Sequence, residues 1–189
     1  MKPIDKFIDS LKRGVYQNAE RLFHDACILF SNNRFDSSIA IAVLSFEELG
    51  KLSIVDRSAD HMILNQVDPN IVMKEYYASM ANNHWLKQNR AAFESLPIDS
   101  EISIRIKNGW LDLLKMRSLY IDLKDDKIVN PNASQDQARD ILHLVYESFP
   151  TFQEIAFTGF EGFESSKSEW LSSEAFTRVK KIYEDHVAS

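Results

Sequence analysis

Residues 38 to 57 are apolar in nearly every direction around a helix. At 100° per residue Ile39, Ile41, Val43, Leu44, Phe46, Leu49, Leu52, Ile54 and Val55 leave no wide polar face. A helix of this kind has to be covered on most of its sides, so the rest of the chain must supply a wrapping of other helices. Yet its middle carries Glu47-Glu48-Leu49-Gly50-Lys51. Glu47 and Lys51 stand at i, i+4 and Glu48 and Lys51 at i, i+3, so both carboxylates can flank one ammonium. Charges are costly to bury unless paired, so the cluster either closes into a network or opens onto a cleft. A plain salt bridge at the core's edge is the bland alternative.

The rest of the chain can provide the cover. From Ile4 to Ser31 apolar residues recur at helical spacing, with Gly14 as a point where the helix either softens or splits. Asn32-Asn33-Arg34-Phe35-Asp36 reads as a turn, with Asp36 or Ser37 as N-cap of the central helix. After a looser stretch through Asp68-Pro69-Asn70, a third helix is expected over Ile71–Leu96, with a stripe of Met73, Tyr76, Tyr77 and Met80 that continues to His84. A fourth is expected over Ser100–Tyr120, with Ile102, Ile106, Trp110, Leu113, Leu114 and Arg117 on related faces. Residues 120–131 read as a loop or a minimal hairpin. A fifth helix starts near Ser134, is built on Ala138, Ile141, Leu142, Val145, Tyr146 and Phe149, and is kinked or ended by Pro150. The tail alternates helical patches with a loop over Thr158–Ser166, and Trp170, Phe176 and Tyr183 would anchor a last helix. With 5 Gly and 5 Pro in 189 residues, the expectation is all-α and one domain over 1–189.

Composition excludes several classes. The single cysteine, Cys27, allows neither an internal disulfide nor a four-cysteine zinc site, and its apolar neighbours make it a core thiol. The N-terminus turns polar at once and no apolar run reaches bilayer length, so no membrane association and a cytoplasmic location are expected. The net charge of −6 argues against general DNA or RNA binding through phosphates, though it leaves room for a local basic site. Glu47, Glu48 and His84 form a carboxylate and imidazole set, but bundle metal sites use Glu-x-x-His, which is absent, so neither a metal nor another cofactor is expected. No phosphate loop, nucleophile elbow or dinucleotide fingerprint occurs.

His84-Trp85-Leu86-Lys87 is the second constellation, placing an imidazole and an ammonium on what should be a core-facing stripe. A lone histidine there is most often a satisfied core residue. Two helices that each turn charge inward give those charges a chance to meet, and a His beside a carboxylate can serve as acid or base.

In order, the run Ser38–Lys51 with its Glu-Glu-Leu-Gly-Lys, then His84-x-x-Lys87, then Arg117-Ser118-Leu119-Tyr120-Ile121-Asp122 and Asn130-Pro131 resemble the AbiV family of abortive infection proteins, over about residues 15–150. The resemblance implies a HEPN-like helical bundle with a buried central helix, extended by C-terminal helices over about 151–189. It also implies homodimers and a role in defence against phage. The family's polar positions fall on Glu47, Glu48, Lys51, His84, Lys87, Arg117, Tyr120 and Asp122. Of these, Glu48, Lys51, His84, Lys87 and Arg117 are expected in a catalytic role, and Glu47, Tyr120 and Asp122 as binding or motif positions.

Ribonucleolytic HEPN domains carry Arg, four to six residues, then His. Here Arg57 to His61 and Arg139 to His143 enclose only three, so the usual ribonuclease motif is absent. Two mechanisms stand side by side: an RNA-targeting effector with His84 as acid or base, oriented by Glu48, and a non-catalytic protein switched by a phage-encoded partner that interferes with translation. A third reading is a dimerisation or adaptor domain whose buried charges only fix helix register.

Overall fold

The computed structural model describes residues 3–65, 82–120, 122–124, 127–129, 131–157 and 165–188, with side chains for 6–59, 82–120, 131–157 and 173–188. The amphipathic helix α1 (Pro3–Ser31) and the central helix α2 (Phe35–Asn65) form an antiparallel hairpin. α1 runs unbroken past Gly14. The connecting turn places Asn33 in the left-handed region at φ 58, where a short polar side chain is tolerated, and the Arg34 N–H donates back to the Leu29 carbonyl. α2 begins before Asp36, so Asp36 lies in its first turn and accepts from the Ala133 N–H at 2.8 Å instead of capping the helix.

The hairpin is joined at close range. Buried Ser38 and Ser45, seven residues apart on α2, each donate at 2.8 Å to the carbonyls of Ala26 and Ala19 on α1. Only small residues facing each other let the two backbones come this near. On the same side α6 (Gln135–Phe157) lies across both helices, and Tyr16, Phe23, Phe46, Phe149 and Phe152 fill the space between them. Tyr16 meets Phe149 edge-on at 5.7 Å and Phe23 tilts against it at 5.3 Å. α6 continues through Pro150, which faces solvent, where water can serve the carbonyl that loses its N–H partner. Cys27 lies in this core, and burial pushes its thiol up to about 12, so it packs as an apolar group.

The other side of α2 is covered by three short helices, α3 (His84–Ser95), α4 (Glu101–Lys107) and α5 (Trp110–Leu119), with α3 and α5 on α2 and α4 on α3. Two expectations change here. The helix expected over 71–96 does not run continuously through Asn82-Asn83: α3 starts at His84, and the Asn83 side chain caps it by accepting from the Leu86 N–H at 2.9 Å. Its Met73–Met80 stripe lies outside the described residues. The helix expected over 100–120 is divided at Asn108-Gly109, where Gly109 takes φ 82, so α5 starts in a new register. Leu113, expected inward, is exposed, and the buried stripe of α5 is Leu111, Lys115 and Ser118.

Strands β1 (Asp122–Lys124) and β2 (Lys127–Val129) pair antiparallel with Leu123 opposite Ile128, the minimal hairpin expected. The last helix, α7 (Ser165–His186), begins at Ser165, within the expected loop, and packs on α1 and α6. Tyr183 and Phe176 hold it through stacking on Tyr146, at 4.4 and 6.1 Å, and Arg178 grips Glu20 with two bonds. The Trp170 side chain lies outside the described residues.

Candidate functional site

Gly50 sets the geometry. A Cβ there would come 1.8 Å from the Lys87 carbonyl oxygen, so α2 and α3 cross in backbone contact at a spot only glycine can occupy. Glu47, one turn before Gly50 on the same face of α2, is thereby aimed at the first turns of α3.

Its carboxylate is surrounded by donors. Oε1 accepts from Lys115 Nζ at 2.7 Å and from Gln88 Nε2 at 2.8 Å, while Oε2 faces His84 Nδ1 at 2.6 Å and Lys87 Nζ at 3.6 Å. The Glu47 side chain is 1% exposed, and those of Lys87 and Lys115 are 8% and 7% exposed. Burial pushes the Glu47 carboxyl up, but the bonds from Lys115, His84 and Gln88 and the nearby Lys115 charge outweigh it and hold the group below its ordinary range. The Lys115 ammonium is pulled down by burial and raised more strongly by Glu47 and Asp112, for a net rise. Asp112, half-exposed, reaches it at 3.2 Å. The Glu47 carboxylate is thus ionised and fully paired.

An ionised carboxylate at Nδ1 requires a proton on that nitrogen. Nε2 then has no partner among the described residues, and the side chain is 55% exposed. This is a carboxylate–imidazole dyad whose buried half fixes the tautomer and whose outer half meets solvent, able to take up or deliver a proton.

Of the expected residues, Glu47, His84 and Lys87 meet here. Glu48 does not: it points toward α1, where Oε1 pairs with Lys51 at 2.5 Å and Oε2 accepts from Asn18 Nδ2 at 3.0 Å. The two glutamates therefore do not share Lys51, and the carboxylate that orients His84 is Glu47 rather than Glu48. Arg117 is exposed on α5 with no ion-pair partner among the described residues. Tyr120, also exposed, follows α5, and Asp122 opens β1 with its side chain outside the description. Gln88 and Lys115 were missed. Gln88 follows Lys87 directly, and Lys115 belongs to the Leu111–Ser118 stripe that appears once α5 is started after Gly109.

Among the described residues no cluster of three or more His, Cys, Asp or Glu is placed to hold a metal ion, and no helix is long and apolar enough to cross a membrane. The architecture is that of a HEPN-type helical bundle carrying a polar site against its central helix. The AbiV family model matches residues 8–149, and the chain belongs to this AbiV family of HEPN proteins. This family is one of abortive infection, and phage defence is the class of function that membership suggests. Comparison with curated proteins and with solved structures gave no match. The end of α6 and all of α7 lie beyond the matched span.

Proposed function

We propose that this chain restricts phage as an RNA-targeting effector in the cytoplasm, with His84 as its working group. The observation that carries the reading is the 2.6 Å contact between the buried Glu47 carboxylate and Nδ1 of a solvent-facing His84. In the reaction this supports, Nε2 takes the proton of an RNA 2′-hydroxyl. The freed oxygen attacks the adjacent phosphorus, and the 5′-oxygen leaves with a proton, giving a 2′,3′-cyclic phosphate. Glu47 holds the ring and balances the positive charge it acquires. Lys87 and Lys115 keep Glu47 ionised, while Lys51 and Arg117, which lie outside the Glu47 network, are the cations assigned to drawing in the RNA phosphate. Glu48 holds Lys51 in place.

A second reading has its own support. Leu113 and Met116, at i and i+3 on α5, and Leu119 at its end are exposed apolar residues near Arg117, with Tyr120 exposed directly after the helix. Such a patch suits a homodimer contact or the docking of a phage-encoded protein, with restriction arising from partner binding.

The test is phage plaquing on cells expressing wild type, His84→Ala and Lys51→Ala at matched soluble levels, with RNA ends mapped after infection. The effector reading expects wild type to restrict phage and leave 2′,3′-cyclic ends, and both variants to fail while folded. Full protection by His84→Ala sinks it and leaves partner binding. Should Leu113→Glu alone abolish protection, the second reading gains.

A further inference from the structure

A groove of about 460 Å³ runs between α3 and α4, on the face of α3 next to the dyad. Its α3 wall is the i, i+4, i+8 stripe Trp85, Asn89 and Phe93. Trp85 is fixed by its Nε1–H, which donates to the Lys107 carbonyl at 3.0 Å, and still leaves 48% of its surface open. Phe93 is 50% exposed, and the Arg57 guanidinium lies 5.6 Å from its ring centre. The backbone positions of Trp85 and Phe93 are about 12 Å apart along the helix axis, and both residues line the groove. Between and beside them are Arg90 and Lys107, which have no ion-pair partner among the described residues, against one acid in the lining, Asp99.

We propose that this groove binds a short stretch of single-stranded RNA, with bases stacked on Trp85 and Phe93 and the backbone drawn in by Arg90 and Lys107; the proposal rests on the RNA-effector reading of the same site. Rigid open aromatic faces with cations between them are the elements of sequence-tolerant single-strand binding, because every base has a face to stack. A purely apolar partner would leave the two cations without counter-charge, whereas a phosphate backbone supplies it. The location fits as well. Trp85 directly follows His84 at the start of α3, so the groove begins at the end of α3 that carries the imidazole.

The probe is a fluorescently labelled oligouridine RNA of about ten nucleotides, followed by anisotropy with the full chain. The double variant Trp85→Leu/Phe93→Leu should bind about tenfold or more weakly, and Trp85→Phe, which keeps an aromatic face, should stay within about twofold of wild type. Arg90→Ala with Lys107→Ala should flatten the salt dependence. Thermal unfolding of each variant guards against loss of fold, and if the double leucine variant does not fold, Trp85→Phe and the cation pair decide by the same criteria. Equal affinity in the leucine and cation variants overturns the groove; if His84→Ala still abolishes RNA cleavage, the effector reading survives that failure. If wild type binds no oligouridine while the leucine variant loses phage restriction, the groove serves a protein partner and the proposal is overturned.

Discussion

The two sides of α2 are buried by different means. Toward α1 and α6 the contact is mostly dry: Ala19, Ala26, Phe23 and Phe149 interlock, two serine hydroxyls donate to backbone carbonyls, and the charged groups of α2 that meet α1, Asp56 with Lys12 and Glu48 with Asn18, keep part of their surface open. Toward α3 and α5 the same helix buries a carboxylate that needs four donors from two other helices. Glu47 and Glu48 mark the divide, adjacent in sequence yet 1% and 13% exposed, one in a closed network and the other in a pair at the rim. A dry face specifies volume, and many sequences can meet that demand. A buried carboxylate specifies each partner, and it costs free energy that a folding-only core could avoid with leucine. The polar side is therefore where function is to be sought.

Phe149→Ala and Glu47→Gln break the two sides and should each lose about 3–5 kcal/mol in urea unfolding, the first by opening a cavity, the second by stranding buried ammonium groups. What separates them is rescue. Adding Lys115→Met to Glu47→Gln should return more than half of the loss, because the uncompensated charge goes with the lysine. No recovery in the double variant would mean that Glu47 is needed for packing, as Phe149 is, and the contrast between the sides would dissolve. Phage protection should stay lost in the rescued protein.

Acid should act like the glutamine variant. The folded-state value of Glu47 lies below its ordinary 4.5, so its contribution is whole above that ordinary value and disappears as pH falls through the lower folded one. Stability measured downward from pH 5 should therefore drop more steeply in wild type than in Glu47→Gln. Equal slopes would place the carboxylate in no favourable network.

Gly50→Ala is the next smaller effect, about 1–3 kcal/mol, since the new methyl meets the Lys87 backbone and α3 has to move away. The movement should loosen the contact of His84 with Glu47, so protection should fall further than stability does. An alanine variant as stable and as protective as wild type would show that the helices do not cross as closely as 1.8 Å implies.

The dry side was legible in advance and the polar side only in part. Periodicity found α1, α2 and the core of α6, because apolar spacing is a local property of the chain. It also joined segments that the chain interrupts: Asn83 caps a helix that asparagine could equally have continued, and Gly109 resets the register of α5 through a positive φ that spacing does not reveal. The motifs supplied Glu47, His84 and Lys87. Lys115 was illegible because a lysine beside Met116 and Arg117 looks solvated until the turn of α5 is known. The assignment of Glu48 to His84 failed for a similar reason. Both glutamates lie within a turn of Lys51, and the direction each takes is decided by α1 and α3, which lie far away in sequence.

The smallest expected effect on stability is also the one that separates a working lysine from a structural one. Lys51 is 22% exposed and among the described residues pairs only with Glu48 at the rim, so Lys51→Met should change stability by no more than about 1 kcal/mol, and the methionine stem can keep the packing of the lysine methylenes. If the ammonium serves only to fix helix register, protection should survive with it. If its charge belongs to the site, protection should fall with the fold intact, and Lys51→Arg should restore part of it. We expect the second outcome, read as plaque counts beside melting curves of the same preparations. Protection retained by Lys51→Met would confine the working charge to the side of α2 that faces α3 and α5.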